Sequence, residues 1–497
     1  MNFVKRYLSL LVAVMFLGSL SNMVWAQSGH FSSATLGMGG TGAAYMDTYH
    51  ANFINPANLM LNSETKPSTS IGLLGGVSAT TGGSLLNIAA YNKHFTTGQV
   101  VNVDKALNDF FGSEPTNYRR LGFELDLIPL GGSWRGKNSS FSLALRNRTL
   151  INSSINRGYA EVFLSGVDKE RFGTPKPVNF SSEAVAFSEI SAGYSRKILE
   201  LPSLFGIGEN VKLYAGVAPK YIVPHATTGI DFNSTLHVAS DKITHDFNYT
   251  FKTVGSVTDQ FKEFSSASKN DNFDGSIGDF VEPDGEDFSQ VQGSGFGIDL
   301  GGTIEMDLAG PLEAFFSWIK GPKKLRVALS ATDLGSITYD NNAGTFSNNS
   351  EFVWDGVDLQ DGFDDAYKDS VANDIFLNYE AGTEDKIVRK LPAKVHLGSQ
   401  LQLGKLAVAL DFTKGMNEAG MNSRRVAMGF GVEYDFFNII PLRAGYRTGG
   451  ATSSSITAGT GLEFRNFEFS VGALLVPNSE NRGASYGAAW SGLLLRF

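Results

Sequence analysis

Two glycine motifs are the first places where this sequence could support catalysis or cofactor binding. Residues 37–42 fit the G-x-G-x-x-G spacing that lets a backbone approach a pyrophosphate, and residues 483–487 fit the G-x-S-x-G spacing around a serine nucleophile. The first motif does not follow a strand of a βαβ unit, and no histidine or acidic residue follows the second. We therefore expect no cofactor and no catalytic residue, and we predict that the chain is not an enzyme.

Metal binding has similarly weak support. Asn270, Asn272 and Asp274 partly follow a calcium-binding loop, but the first position is not aspartate and Val281 stands where a bidentate glutamate is needed. The seven histidines include no H-x-x-x-H pair, and without cysteine the chain can form no zinc–thiolate or iron–sulfur site. We name no metal ligand, and we expect a solvated acidic loop, with weak calcium binding as the alternative.

Charged side chains within regular segments are the remaining candidates. They recur on the polar side of an apolar alternation, where two interpretations compete. They could form a network that lines a pathway or holds a plug, or they could be the paired, hydrated side chains that any wide lumen needs. The second is favoured for any single residue among Arg146, Arg148, Asp411, Glu433, Asp435, Arg443, Arg447 and Glu463.

The segments that carry these charges alternate with a period of two residues. In residues 393–403, Val395, Leu397 and Leu401 share one face, and Lys394 and His396 share the other. A helix cannot hold this pattern because its period is 3.6 residues, so these segments are predicted strands. The same pattern recurs at 121–128, 140–149, 183–196, 211–222, 294–306, 405–412, 426–436, 456–464 and 467–473.

The N-terminus has the three parts of a secretory signal. Lys5 and Arg6 precede an apolar run over residues 7–20 that is too short to span a bilayer as a helix, and residues 24–26 offer a cleavage site. Residues 1–26 are therefore a predicted signal peptide, with Gln27 as the mature start. No later segment approaches 18 consecutive apolar residues, so a membrane location would require a closed barrel.

Composition favours such a barrel over a soluble sandwich or propeller, which would alternate in the same way. The polar faces are rich in small residues, as the 56 glycines show, and many strands end in aromatic residues that suit a membrane interface. The chain ends in a strand with Leu493, Leu495 and Phe497 at alternate positions, which resembles the C-terminal insertion signal of bacterial outer-membrane barrels. The alternative for this end is an ordinary edge strand.

The acidic residues are concentrated in two insertions. Residues 259–287 and 355–385 together carry a charge of −16, so the rest of the chain is +7, although the whole chain is −9. We predict that these insertions, near 255–293 and 355–390, are long extracellular loops of a barrel formed by residues 63–497. The acidic total argues against nucleic acid as a partner.

Residues 31–61 read FSSATLGMGGTGAAYMDTYHANFINPANLML. This glycine-rich start followed by Asn-Pro-Ala resembles the N-terminal hatch of the long-chain fatty-acid transporter family and of the related barrel in type IX protein secretion. The resemblance implies an all-β fold: a single antiparallel transmembrane β-barrel of about 14 strands, with residues 27–62 as a hatch in its lumen. In chemical terms, Asn55 can cap a helical turn that Pro56 begins. The implied hatch residues are Gly37, Gly39, Gly40, Gly42, Asn55, Pro56 and Ala57.

The sequence leaves two functions open. The first is passive uptake of hydrophobic small molecules across the bacterial outer membrane. The alternative is a non-transporting barrel that docks or anchors secreted proteins. The expected partners are outer-membrane lipid, the barrel assembly machinery, and either a hydrophobic ligand or a secreted protein. A barrel enzyme such as a lipid hydrolase is disfavoured because the chain offers no convincing serine, histidine and aspartate set.

Overall fold

The computed structural model describes residues 32–61, 67–98, 100–239, 242–267, 290–355, 380–382, 386–450, 454–475 and 484–497. The predicted signal peptide lies outside these residues. Within them the chain forms eighteen strands. In chain order they are β1 Thr69–Gly83, β2 Tyr118–Arg135, β3 Ser139–Asn156, β4 Lys176–Leu204, β5 Gly208–Val238, β6 Lys242–Val254, β7 Gly293–Leu308, β8 Lys323–Tyr339, β9 Ala343–Asp355, β10 Glu380–Gly382, β11 Ile387–Lys390, β12 Lys394–Leu403, β13 Leu406–Gly415, β14 Val426–Phe436, β15 Ile440–Gly449, β16 Ser455–Glu463, β17 Phe467–Leu475 and β18 Ala484–Arg496.

Fourteen of these strands close into one antiparallel barrel, which confirms the predicted fold. Each strand from β1 to β5 pairs with the next, β5 pairs with β7, β7 with β8, β8 with β12, and the order then continues to β18. The barrel closes where β18 pairs with β1, with Ile71 opposite Leu495 and Gly83 opposite Ala484. Closure satisfies the edge hydrogen bonds that a sheet in lipid could not leave open.

The wall is apolar outside and polar inside. Leu143, Leu329 and Leu397 are each about half exposed on the outer face, whereas Arg146 and Asp411 on the inner face are buried. A soluble sandwich would bury the apolar face instead. An outward apolar band is what a barrel in a bilayer requires.

The two ends of the barrel differ in their connections. At one end, here called the turn end, most connections are short, as between Arg135 and Ser139 or between Leu403 and Leu406. The opposite end, here called the mouth, carries the long connections and most helices. The helices are α1 Ser33–Gly37, α2 Ile88–Phe95, α3 Val103–Phe111, α4 Arg157–Ser165, α5 Lys169–Phe172, α6 Ser256–Ala267 and α7 Gly310–Phe315, of which α1 belongs to the hatch and α7 to the turn end.

No helix among the described residues is long and apolar enough to cross a membrane.

The sheet extends beyond the barrel at the mouth, and the alternating pattern did not predict this extension. Strands β4 and β5 are 29 and 31 residues long, while β12–β18 have 9 to 13. The upper part of β5 pairs with β6, and β6 pairs with β9. Ile243, Phe247 and Tyr249 are buried in this extension, so its apolar residues stabilise sheet structure beyond the barrel.

The two predicted acidic loops are partly regular. Residues 256–267 of the first form α6, because Phe261 and Phe264 pack inward at helical spacing against β6 and β9. Residues 380–382 and 387–390 of the second are the short strands β10 and β11. Residues 268–289, 356–379 and 383–385, including the calcium-like positions, lie outside the described residues.

Candidate functional site

The hatch, residues 32–61, fills the lumen as a buried segment. It begins with α1, where the Ser32 side chain accepts a hydrogen bond from the Thr35 amide. Two 3-10 helices follow, Thr48–Phe53 and Pro56–Met60. The Asn55 side chain accepts from the Ala57 amide at 3.2 Å with Pro56 at the first helical position, so the predicted cap is confirmed.

Side chains of the barrel wall bind the hatch backbone on several sides. Asp411 on β13 accepts hydrogen bonds from the amides of Gly42 and Ala43 at 2.8 and 2.9 Å. On β16, Thr457 donates to the Gly37 carbonyl at 2.9 Å. Three more hatch carbonyls accept hydrogen bonds from wall hydroxyl groups, which belong to Ser140 on β3, Ser195 on β4 and Ser330 on β8. The hatch is therefore anchored around the circumference of the wall.

Wall glycines allow the hatch to approach the strands closely. A Cβ added at Gly445 would lie 2.2 Å from the Gly39 amide nitrogen, and one at Gly216 would lie 2.4 Å from that of Ala57. One at Gly301 would meet the Asn55 side chain at 1.8 Å. These positions explain why small residues recur on the inner face of the alternating pattern.

The seven predicted hatch residues all lie in this segment. Gly39 and Gly40 have positive φ values of 71° and 78°, which non-glycine residues rarely adopt. The Gly37 carbonyl and the Gly42 amide make the wall contacts above, and Asn55 also donates to Thr303 on β7 at 2.8 Å. Asn55, Pro56 and Ala57 are buried against β4, β5 and β7.

An ionic layer lies above the hatch towards the mouth. Arg148 contacts Asp333 at 2.9 Å and Glu124 at 3.0 Å, and Arg146 contacts Asp126 at 2.8 Å. The layer joins strands β2, β3, β4, β5, β7 and β8. Its members are all buried: Glu124, Asp126, Arg146, Arg148, Glu189, Lys220, Asp299 and Asp333.

Lys220 occupies the centre of the ionic layer. Its side chain is fully buried, and its Nζ lies 2.8 Å from Asp299 and 2.6 Å from Asp333. The Phe53 ring of the hatch stacks beneath, with its centroid 5.5 Å from this Nζ and 5.0 Å from the Arg146 guanidinium. The charged layer and the hatch therefore contact each other directly.

The sequence predicted only part of this layer. Arg146 and Arg148 were identified as inward charges, but their partners were missed. Glu124 and Asp126 sit at alternate positions in a predicted strand, so the alternation could have identified them. The register of β5, β7 and β8 brings together Lys220, Asp299 and Asp333. The sequence alone does not specify that register.

Other predicted inward charges lie elsewhere in the lumen. Arg443 pairs with Glu433 and Glu463 near the turn end of β14–β16, and Arg447 is buried on β15. The two ion pairs of Arg443 form a smaller group beside α1, separate from the ionic layer. Asp435 lies at the end of β14, where its amide bonds the Lys405 carbonyl.

Apolar side chains fill the lumen between the ionic layer and the mouth. The order along β3 shows this directly, since Ser142 contacts the hatch, Arg146 and Arg148 carry the charges, and Leu150 follows. This mouth cluster comprises Leu150, Val185, Phe187, Ile222, Val254, Ile337, Tyr339, Ile387 and Leu391.

Two mouth connections cover the mouth cluster. Asn417 donates to the Leu391 carbonyl at 2.6 Å, and Asn422 donates to the Ala393 carbonyl at 2.9 Å, so residues 391–393 and 416–425 are tied together. Gly420 rests on Leu150. The remaining cavity is about 20 Å³, room for about one water molecule. Most of the apolar lining thus comes from wall strands, and the connections 391–393 and 416–425 cover it on the mouth side.

Two titratable groups at the mouth, Asp109 in α3 and His245 in β6, have shifted pKa values. Hydrogen bonds from Lys93 and His94 to Asp109 lower the pKa of that carboxyl. Burial lowers the pKa of His245 on β6 to about 4. Asp109 is therefore ionised and His245 neutral near neutral pH. Among the described residues no group of three histidine, aspartate or glutamate side chains is placed to hold a metal ion.

The predicted insertion residues lie at the seam of the barrel. Leu493 and Phe497 are exposed on the outer face, and Leu495 lies between them. Arg496 points inward and pairs with Glu468. The Phe497 amide donates to the Thr69 carbonyl at 2.9 Å, and its own carbonyl accepts from the Thr69 amide at 3.2 Å. The last residue therefore takes part in closing the sheet.

Deletion of Phe497 is expected to reduce membrane assembly several-fold, because it removes two seam hydrogen bonds and an outward aromatic ring. The measurement is the fraction of chain that stays folded, and so migrates faster, on gels of unheated membranes. Phe437→Ala, which removes an exposed ring at another turn, is the matched control. Normal assembly of the truncated chain would show that Phe497 is not an insertion signal.

These features define a class: a closed, 14-stranded antiparallel barrel with an internal hatch and a charged lumen. Residues 56–473 match the model of a family of unknown function, DUF5723. The chain belongs to that family. The structure confirms the barrel class that the resemblance of residues 31–61 implied. The family to which the match assigns the chain is DUF5723.

Comparison with solved structures gives barrels of low sequence identity. The chain is similar to the toluene transporter TbuX of Ralstonia pickettii, with 14% identity over 94% of this chain and 99% of that one and a TM-score of 0.45. It is also similar to the P. putida toluene transporter TodX, with 11% identity, the same coverages and a TM-score of 0.45. The monoaromatic hydrocarbon channel CymD gives 12% identity over 94% and 97% and a TM-score of 0.43. No curated protein matches the chain.

Proposed function

We propose that the chain is an integral outer-membrane barrel for passive uptake of small hydrophobic molecules. The observation that carries this proposal is the mouth cluster, a set of apolar side chains turned into the lumen. Lumen-facing positions of an aqueous pore would be polar. Because residues 391–393 and 416–425 cover these side chains from above, movement of two connections would open an apolar pocket without breaking the wall.

The ionic layer forms the floor of this pocket. A neutral apolar molecule cannot pass among buried, paired charges without breaking them, which is costly in a medium of low dielectric constant. We therefore infer that release occurs through the wall above that layer. The register between β4 and β5 shifts beside the mouth cluster: Ala186 pairs with Ala226, whereas Phe187 pairs with Pro224. Pro224 has no amide to donate, so it cannot contribute a strand hydrogen bond through its nitrogen there.

Uptake of radiolabelled toluene by cells that express the chain tests the proposal. Cells with the wild-type chain should take up the probe faster than vector controls. Leu391→Glu should abolish this gain, because it places a carboxylate in the mouth cluster. Val388→Glu makes the same chemical change at an exposed position three residues away and should leave uptake unchanged. Equal uptake by wild-type and vector cells would contradict the proposal.

A docking platform for secreted proteins is the second candidate, and the sheet extension of β4, β5, β6 and β9 favours it. This ordered surface stands outside the bilayer and is unnecessary for a pore. The chain has no cysteine, so Thr235→Cys on the extension can carry a photocrosslinker, with Asn466→Cys at the turn end as the control. Docking predicts a protein adduct at Thr235→Cys alone, and no toluene uptake above the vector control.

A further inference from the structure

A second cavity lies at the mouth, beside the mouth cluster. It has a volume of about 360 Å³, which is in the range of sites for small ligands. Its walls are the upper ends of β1, β2 and β3 and the connection 416–425. Gly82, Gly122 and Asn152 line it from luminal positions of their strands. The cavity therefore faces the inside of the barrel, and lipid lies on the other side of the wall.

The lining of this cavity is basic, in contrast to the acidic chain as a whole. Among the described residues that line it are three arginines, Arg120, Arg424 and Arg425, and one acidic residue, Glu418. Arginine stays protonated at every physiological pH and presents several donors in one plane, which suits carboxylate and phosphate groups. The local excess of positive charge attracts anions into a concave surface.

The carboxylate of Glu418 can be displaced. Glu418 accepts from both terminal nitrogens of Arg120 at 3.2 Å, but the two side chains are 50% and 48% exposed. Exposed ion pairs of this kind contribute little net free energy. An incoming anion can therefore replace Glu418 at Arg120 with little loss.

Neutral polar groups complete the lining. Asn152, Ser423 and Tyr118 add hydrogen-bonding groups around the guanidinium groups, and Met421 supplies one apolar contact. This composition differs from the mouth cluster, whose side chains are apolar. This lining suits a ligand that combines negative charge with hydroxyl groups.

We propose that this cavity binds a small hydroxylated anion, such as a sugar that carries a phosphate or carboxylate, from the external medium. The luminal position of the cavity favours a free solute over the head group of a membrane lipid. This cavity shares Asn152, Gly420 and the connection 416–425 with the surroundings of the mouth cluster, but its arginine lining takes a charged probe, whereas the apolar side chains of the mouth cluster take toluene.

Calorimetric titration of the full purified chain in detergent with glucose 6-phosphate tests the site, with glucose as the uncharged probe. Glucose 6-phosphate should bind, and glucose should not. The variant Arg424→Gln/Arg425→Gln should weaken binding by at least about tenfold, because it removes two charge-assisted contacts. Glu418→Gln should strengthen it by about threefold, because it removes the competing carboxylate.

Arg465→Gln, at an exposed turn between β16 and β17, is the matched control and should bind like wild type. Heat-modifiable migration of every variant establishes that the barrel is folded. The proposal is overturned if the double variant binds glucose 6-phosphate as tightly as wild type, or if glucose binds equally well. Toluene uptake does not enter this comparison, so the two proposals can fail separately.

Discussion

Replacing Lys220 with methionine is expected to lower the free energy of unfolding by about 3–5 kcal/mol. Lys220 is fully buried and lies within 2.8 Å of Asp299 and 2.6 Å of Asp333. Methionine preserves most of the side-chain volume but leaves these carboxylates without their central cation. The cost comes from uncompensated buried charge rather than from a cavity.

Urea unfolding of the chain in lipid vesicles, followed by tryptophan fluorescence, measures this difference. Lys320→Met removes an exposed lysine near the turn end and should change stability by no more than about 0.5 kcal/mol. Adding Asp299→Asn to Lys220→Met should recover part of the loss. If Lys220→Met unfolds at the wild-type urea concentration, the ionic layer does not stabilise the barrel through Lys220.

Replacing Gly445 with valine is expected to displace the hatch from the wall. The new Cβ would lie 2.2 Å from the Gly39 nitrogen and 2.5 Å from the Met38 carbonyl carbon. Both contacts involve backbone, so no side-chain rotation can relieve them, and the hatch must shift at a cost of at least about 1–3 kcal/mol. The strand itself tolerates valine well.

Chymotrypsin cleavage after Tyr45 and Tyr49 reports this displacement, because the Tyr49 side chain is fully buried and Tyr45 is largely enclosed. The variant should be cleaved faster than wild type. Gly302→Val on β7 is the matched control, since the nearest atom to its added Cβ is 3.8 Å away. Equal resistance of Gly445→Val and wild type would mean that the wall accommodates the hatch differently.

Much of the barrel was predictable because alternation is a local property. Each membrane-facing strand shows its outward residues two positions apart, as in Val395 and Leu397, and this fixes both strand and face. The Asn55 cap was predictable for the same reason. Asn55 accepts a hydrogen bond from the amide of Ala57, which is only two residues away in the sequence. The count of 14 came from the resemblance of the hatch, because alternation alone allowed 12 to 16.

The remainder depended on contacts between distant residues. Lys220 and Asp333 are 113 residues apart, and nothing in their neighbouring sequence indicates that they meet. The sheet extension was missed for another reason: Ile243, Phe247 and Tyr249 do alternate, but polar residues between them resemble a loop. The mouth cavity is lined by four separate segments, so only the folded chain brings Arg120 near Arg424.

The hatch also sets an order of events for folding. Ser33, near the start of α1, contacts Ser491 on the last strand, 458 residues later. The hatch, near the start of the chain, therefore completes its contacts only when the last strand is in place, and a seam that closed around an empty lumen would lack these contacts. Contacts of such long sequence separation slow folding. The barrel stays open until its final residues are available, so a prematurely terminated copy would have neither a fully seated hatch nor a closed edge.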